Sequence, residues 1–338
     1  MIKKLKVLSL FSGIGAFEKA LTNLEVDYEV VGFSEIDSHA IKSYCTIHNV
    51  DETLNLGDIS KLNIDKLPKN IDLLTHGSPC TDYSMAGKQK GGDKGSGTQS
   101  SLMWYSVEII KHCKPKYVIW ENVKNVLSPK HKHNFEQYIE DLKNMGYTSY
   151  YKVLNAKDYG IPQNRERMFC ISILGEHEPF TFPKGFKLEK DLSEFIDFRE
   201  KDDITMNFYK RYLQVKGRIS YENFIEYINK LPVKKGVGVK IMDLYTYNEM
   251  NTITTIHGLT GTLTKRGIQN YCKKFWYNNK LYKPSPRMCW RLMGFTDEDF
   301  NKVKDLGTDS QLWDRAGNSI VVNVVEEIFK KLLYRYIN

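Results

Sequence analysis

"LKVLSLFSGIGAFEKAL", residues 5–21, decides how this chain folds. Residues 5–10 form an apolar run of strand character, Gly13 and Gly15 turn the backbone tightly, and helical spacing follows. Strand, glycine turn and helix in that order open a β-α-β unit. The cadence returns in "YEVVGF" at 28–33, "IDLLTH" at 71–76 and "KYVIWE" at 116–121, each followed by helical spacing. The first half therefore implies parallel strands joined by crossover helices. Phe135, Tyr138, Ile139, Leu142 and Met145 mark one more amphipathic helix, stopped by Gly146, before "YYKVLN" and "MFCISIL" add two strands. The sheet is expected to be complete near residue 175.

Beyond it the composition changes. Residues 176–285 are polar, rich in lysine and tyrosine, and carry short strand-like pieces such as "NTITTI" with glycines at 236, 238, 258, 261 and 267. This predicts a second, smaller domain of irregular mixed β structure. "VVNVVEEIFKKLLYRYI" at 321–337 regains helical apolar spacing and should pack back on the first domain. The expected organisation is a Rossmann-like α/β domain over 1–175, a small domain over 176–285, and a return segment over 286–338.

A chain of 338 residues with 41% hydrophobic composition can bury a substantial core. Three lysines in residues 1–6 lead into a short apolar stretch without small residues of cleavage type, and no stretch approaches membrane-spanning length, so a cytoplasmic protein is expected. The six cysteines, at 45, 80, 113, 170, 272 and 289, form no C-x-x-C pair; reduced thiols and no metal cage are expected. The formal charge of +8 suits a polyanionic partner without requiring one.

Gly13 and Gly15 between strand and helix let a ligand approach the backbone, although chain reversal alone would also explain them. Glu18 stands where the dinucleotide fingerprint has its third glycine, which counts against NAD or FAD. Glu35 ends the second strand some twenty residues on, where an acid accepts hydrogen bonds from ribose hydroxyls. Asp58 in "LNLGDIS" sits at another candidate strand end, within reach of an adenine amino group, although a turn aspartate reads the same way. Since no G-x-x-x-x-G-K-[ST] loop occurs, an adenosine ligand without phosphates, S-adenosylmethionine, fits better than ATP.

"LLTHGSPCTDYSMAGKQKGGDKGSG", residues 73–97, is the second informative stretch. A buried strand ends in Pro79-Cys80 and opens into a loop too polar and glycine-rich to pack, which predicts a mobile arm behind a thiol. Cysteines 45, 113, 170, 272 and 289 lie in apolar or helical contexts that suit buried residues. Cys80 alone stands where a nucleophile would.

With these residues in place the sequence resembles the DNA cytosine-C5 methyltransferase family over almost its whole length. The resemblance is carried, in the family's order, by "FSGIGAFEKAL", "SEID", "GDI", "GSPCTDYS", "ENV" at 121–123, "QNRER" at 163–167, "RMCWRLMGF" at 287–295 and "GNS" at 317–319. It implies S-adenosylmethionine as cofactor, held by Phe11, Gly13, Gly15, Glu35, Ile36, Asp58, Ile59, Asn318 and Ser319, and a target-recognition domain between "QNRER" and "RMCWRLMGF". It also implies that Cys80 attacks C6 of cytosine, that Glu121 protonates or hydrogen-bonds N3, and that Arg165 contacts O2.

For the DNA, the resemblance implies base flipping with the loop after Cys80 closing on the duplex. Pro79, Ser84, Lys88, Lys90, Asn122, Arg167, Thr252, Lys265 and Arg266 are the candidate contacts, Asn122 more as a turn-former and Arg167 more as a support; Gln163 receives no role. Three departures from the family pattern, Ser9, Ile36 and Thr81, touch none of the reacting atoms.

The expectation is a monomeric enzyme that methylates C5 of one cytosine in a short duplex-DNA sequence, in a bacterial or phage restriction-modification setting. A cognate restriction endonuclease would be its functional partner. The alternatives are a tRNA cytosine-C5 methyltransferase and a non-catalytic DNA-binding protein.

Overall fold

The computed structural model describes every residue except 1–3, 85–88, 236, 247, 265–272 and 338. The chain divides into two compact units. The first comprises residues 1–155, 166–184 and 322–338, and the second 156–165 and 185–321.

The first unit is built on a six-stranded sheet. Its strands are β1 (Leu5–Leu10), β2 (Tyr28–Ser34), β3 (Leu73–His76), β4 (Tyr117–Val123), β5 (Tyr147–Asn155) and β7 (Glu166–Leu174), in the order β2-β1-β3-β4-β7-β5. β1 is parallel to both β2 and β3, and β3 to β4. β7 runs antiparallel to β4 and β5, so the sheet is mixed rather than wholly parallel. The physical reason is connectivity: residues 156–165 supply no long crossover helix, and a short connection favours antiparallel neighbours.

Val7 and Leu8 of β1, Leu73 and Leu74 of β3, and Val118, Ile119 and Trp120 of β4 are all fully buried, as strands covered on both faces must be. The helices α1 (Ala16–Asn23), α2 (Ser38–His48), α3 (Met103–Cys113) and α4 (Lys132–Asn144) follow successive strands. The chain leaves β1 for β2 on one side and reaches β3 on the other, which makes the C-terminal edge of β1 and β3 the switch point where such sheets take ligands. The late helix Val322–Leu332 returns to this unit as the apolar spacing predicts. It buries Val324, Val325, Ile328 and Phe329 and packs on α1, with the Phe17 and Phe329 rings 6.3 Å apart.

The second unit holds a four-stranded sheet in the order β12 (Lys280–Tyr282), β11 (Phe275–Tyr277), β9 (Thr252–Thr255), β8 (Val239–Ile241). Its core also contains what the composition did not suggest, two helices, α5 (Thr205–Lys216) and α6 (Tyr221–Lys230). Phe208 of α5 and Phe224 and Ile228 of α6 join Ile253 and Leu281 of the sheet in one buried cluster. Ser220 caps α6 through the Asn223 N–H, and the 224–225–228 apolar spacing is the signal that the polar average of this region masked.

The units run differently from the expected boundaries. Residues 286–321 belong to the second unit, because Arg199 pairs with Asp309 at 3.0 Å, Arg291 donates to the Ile196 carbonyl and Ser285 to Asp197. Residues 156–165 join it through β6 (Gln163–Asn164), which pairs with β10 (Thr260–Gly261).

Candidate active site

The glycine turn after β1 is held by an acid from the next strand. Glu35 accepts hydrogen bonds from the Gly13 N–H at 2.9 Å, the Ile36 N–H at 2.8 Å and the Asp37 N–H at 2.9 Å. A carboxylate has about four acceptor positions, so three backbone donors orient it and leave room for one more partner. Phe11 adopts φ +53°, a left-handed conformation that a bulky residue rarely takes, and Gly13 and Gly15 follow at +56° and +77°.

A Cβ on Gly13 would meet nothing within 4 Å, whereas one on Gly15 would overlap the His48 ring. Gly15→Ala is therefore expected to destabilise the fold by about 1–3 kcal/mol through the clash and the backbone conformation together, measured as a shift in urea midpoint. Ile36, 73% exposed, projects at the end of β2. Asp58 caps a short helical turn by accepting from the Ser60 N–H and hydroxyl, which holds its carboxyl below the usual range, and Ile59 is buried in the core. Glu18, at the third-glycine position, is fully buried, and that burial pushes its carboxyl up.

Open space over Gly13, an oriented acid and an exposed apolar residue form a cradle with no phosphate-binding loop. That donor set fits S-adenosylmethionine.

Cys80 follows β3 and is partly exposed. Three successive carbonyls at this turn each accept hydrogen bonds. Asn122 donates to the Ser78 carbonyl at 3.1 Å, the Ser100 hydroxyl donates to that of Pro79 at 2.9 Å, and the N–H groups of Tyr83 and Ser84 donate to that of Cys80 at 3.0 and 2.8 Å. Asn122 and Trp120 also donate to the Ser78 hydroxyl at 3.2 and 3.0 Å. Asn122, only 1% exposed, thus clamps β4 to the Cys80 turn. Among the other described thiols, burial pushes Cys45 up, Cys113 up to about 11, Cys170 up to about 12 and Cys289 higher still.

His76, just ahead of the turn, is fully buried and stacked on Trp120, with Nε2 3.0 Å from the Tyr138 hydroxyl. Burial lowers its pKa to about 3, so it stays neutral and acts as packing.

Beyond Cys80 the chain does not run on as a wholly unpacked arm. Gly91 and Gly92 are buried; the Gly91 N–H donates to the Asp82 carbonyl at 3.1 Å, and the Trp104 indole donates to that of Gly92 at 2.7 Å. The glycines pack because they lack a side chain, since a Cβ on Gly92 would overlap the Tyr83 hydroxyl. Ser84 lies in the turn beside Cys80, Lys90 is exposed, and Lys88 lies outside the described residues.

Glu121, 8% exposed, comes next to this turn at the end of β4, whose residue Trp120 pairs in register with His76. Arg167 of β7 pairs across with Val123, and its Nε lies 3.1 Å from Glu121 Oε1. Arg165 is placed otherwise. It is 4% exposed, and its guanidinium donates to the carbonyls of Leu263 at 2.8 Å, Gly317 at 3.2 Å and Ser319 at 2.6 Å, all within the second unit.

Gln163 is fully buried there, donating to the Leu292 carbonyl and accepting from the Leu263 N–H at 3.1 Å. Asn318 is exposed at the end of its helix, and Ser319 is buried. Thr252 begins β9 opposite Ile241, whereas it is Thr262 whose hydroxyl donates to the Asn164 carbonyl beside Arg165. The signal for Thr262, a threonine-leucine pair after a glycine, is too short to be read alone. Lys265 and Arg266 lie outside the described residues.

Fold and site together define a class: a Rossmann-like α/β domain with a glycine-and-acid cradle after its first two strands and a thiol after the third, in a chain that also holds a second, smaller unit. Comparison with known proteins supplies the family. The chain belongs to the C-5 cytosine-specific DNA methylases, whose family signature matches residues 5–334. It is 32% identical to the type II methyltransferase M2.ScrFI of Lactococcus lactis subsp. cremoris, over 97% of this chain and 99% of that protein. It is also 32% identical to the orphan methyltransferase M.SPBetaI of Bacillus phage SPbeta, over 100% of this chain and 99% of that one. Among solved structures, the S. pombe Dnmt2 methyltransferase shares the fold at a TM-score of 0.66 and 18% identity, covering 98% of this chain and 99% of its own. No helix among the described residues is long and apolar enough to cross a membrane.

Proposed function

We propose that this chain transfers a methyl group from S-adenosylmethionine to C5 of cytosine within a short duplex-DNA sequence. The observation that carries the reading is the pairing of a thiol after β3 with a carboxylate at the end of β4, on neighbouring parallel strands beside the adenosine cradle. S-adenosylmethionine, when bound, supplies an electrophilic methyl group; Gly13, Gly15, Glu35 and Ile36 would hold its adenosine.

Cytosine C5 is a poor nucleophile until the ring is activated. The Cys80 thiolate forms a bond to C6, the ring's electron pair moves towards C5, and Glu121 donates a proton or a strong hydrogen bond at N3 to accept the displaced charge. Once C5 is methylated it loses its proton, the electrons return to the C5–C6 bond, and the sulfur leaves as thiolate. A duplex hides these atoms, so the base must be flipped out.

In this reading Arg167 takes the place first assigned to Arg165. Arg167 orients the Glu121 carboxylate, while the Arg165 guanidinium is engaged with three backbone carbonyls. Arg167→Ala is expected to lower kcat about 10²-fold at near-native stability. Arg165→Ala leaves buried carbonyls without their donor, at about 1–3 kcal/mol each, and should act first on the thermal midpoint. Thermal denaturation and single-turnover methyl transfer on both variants separate the two.

The type II and orphan relatives frame the biological setting as modification with or without a nuclease partner. Bisulfite sequencing of a methylation-free bacterial genome after expression tests the function. Protected cytosines in one recurring context are expected; complete conversion with folded protein present would overturn the reading, and methyl transfer to tRNA would replace it.

A further inference from the structure

The Ser100 hydroxyl is 21 residues from Pro79 in sequence and donates to the Pro79 carbonyl at 2.9 Å, in the peptide unit that leads into Cys80. The same oxygen accepts the Asp82 N–H at 3.1 Å, and the Ser100 N–H donates to Asp82 Oδ2 at 3.2 Å. One buried serine, 0% exposed, therefore grips the nucleophile's backbone on both sides. Of the carbonyl partners at this turn, the Tyr83 and Ser84 N–H groups are local, Asn122 comes from β4, and Ser100 comes from the far end of the loop.

Ser100 is itself held firmly. It lies in the short helix Gln99–Leu102, capped by the Thr98 side chain, which runs directly into α3. Its carbonyl would meet a Cβ placed on Gly92 at 3.0 Å, so the returning arm of the loop packs against it. Gly92 in turn is tied to Trp104 at the start of α3, and Gly91 to Asp82 and Thr98. These contacts join Gly91 and Gly92 to a root that contains Ser100, Asp82 and the Pro79-Cys80 peptide.

We propose that Ser100 is a positioning residue that sets the Cys80 thiolate for attack on C6, acting through the Pro79 carbonyl and the Asp82 N–H, and that Asp82 completes the clasp. The inference rests on the proposed methyl transfer. Attack requires the sulfur to sit about 3–3.5 Å from C6 along one direction, and a misplacement of about 1 Å costs about 10²-fold.

The test uses the full chain and a duplex with 5-fluorocytosine at the position that bisulfite sequencing identifies. The fluorine cannot leave as a proton does, so the Cys80–C6 adduct persists after methyl transfer and its rate of formation is read on a denaturing gel. Ser100→Ala is expected to slow trapping by about 10- to 100-fold, with S-adenosylmethionine and DNA affinities within about twofold of the parent. Asp82→Ala should slow it as well, and Asp82→Asn, which keeps an oxygen for the Ser100 N–H, should recover most of that rate. Trapping by Ser100→Ala at the parental rate overturns the inference; so does equal loss in Asp82→Asn and Asp82→Ala. Absence of any adduct in the parent chain would instead overturn the methyl-transfer reading on which it depends.

Discussion

Cys80→Ala is expected to abolish methyl transfer, by at least about 10⁴-fold in kcat, while leaving duplex binding within a few fold. The loss is large because the thiolate is a bond-forming partner, and neither the neighbouring carboxylate nor a well-placed cofactor can replace a missing carbon–sulfur bond. Burial raises the pKa of every other described thiol, Cys45 included, which leaves less thiolate at neutral pH. Burial holds Cys113, Cys170 and Cys289 at about 11 and above, and Cys170 and Cys289 lie in the core. Stability should barely change, since Cys80 is partly exposed and its backbone contacts survive the substitution. Filter binding and tritiated methyl transfer on the same preparation measure both quantities. Normal turnover by the variant would sink the covalent mechanism.

Glu121→Gln is the second large effect, expected at about 10²- to 10⁴-fold in kcat, the span of a general acid. Glutamine preserves the shape of the side chain and can still accept the Arg167 Nε–H at the site where the carboxylate oxygen lies 3.1 Å away. What it loses is the transferable proton. The variant should bind S-adenosylmethionine and DNA normally and form the 5-fluorocytosine adduct slowly, because unassisted attack leaves charge building at N3. A variant that traps the fluorinated duplex at the parental rate would show that the ring needs no acid from this side chain.

Much of the first unit was legible because its signals are local. Apolar runs of five or six residues, glycine turns and the Pro-Cys step each act over a few bonds, and β1 to β4 lie where those runs are. The reversed β7 was not legible, since strand direction depends on the length of what joins two strands rather than on either strand's composition. The helices α5 and α6 were hidden by a polar regional average, although Phe224 and Ile228 carry their own helical spacing. Gly91 and Gly92 read as flexible and are instead buried, because a residue without a side chain serves equally for mobility and for close packing.

By itself the sequence determined the Rossmann-like class, the glycine turn with Glu35 and the candidacy of Cys80, since each is a residue type at the end of a recognisable element, while the candidacy of Glu121 came from the resemblance to the family. Only the tertiary structure shows the different surroundings of the two arginines of "QNRER": Arg167 lies on β7 in register with Val123, whereas Arg165 falls in the break between β6 and β7. One reaches Glu121, and the other is consumed by the carbonyls of Leu263, Gly317 and Ser319. It also brought the Thr262 hydroxyl to the Asn164 carbonyl and the Ser100 hydroxyl to that of Pro79. These pairings join residues 21 to 154 positions apart. Their partners are chosen by packing, and no local pattern of residues encodes which distant carbonyl a buried donor will find.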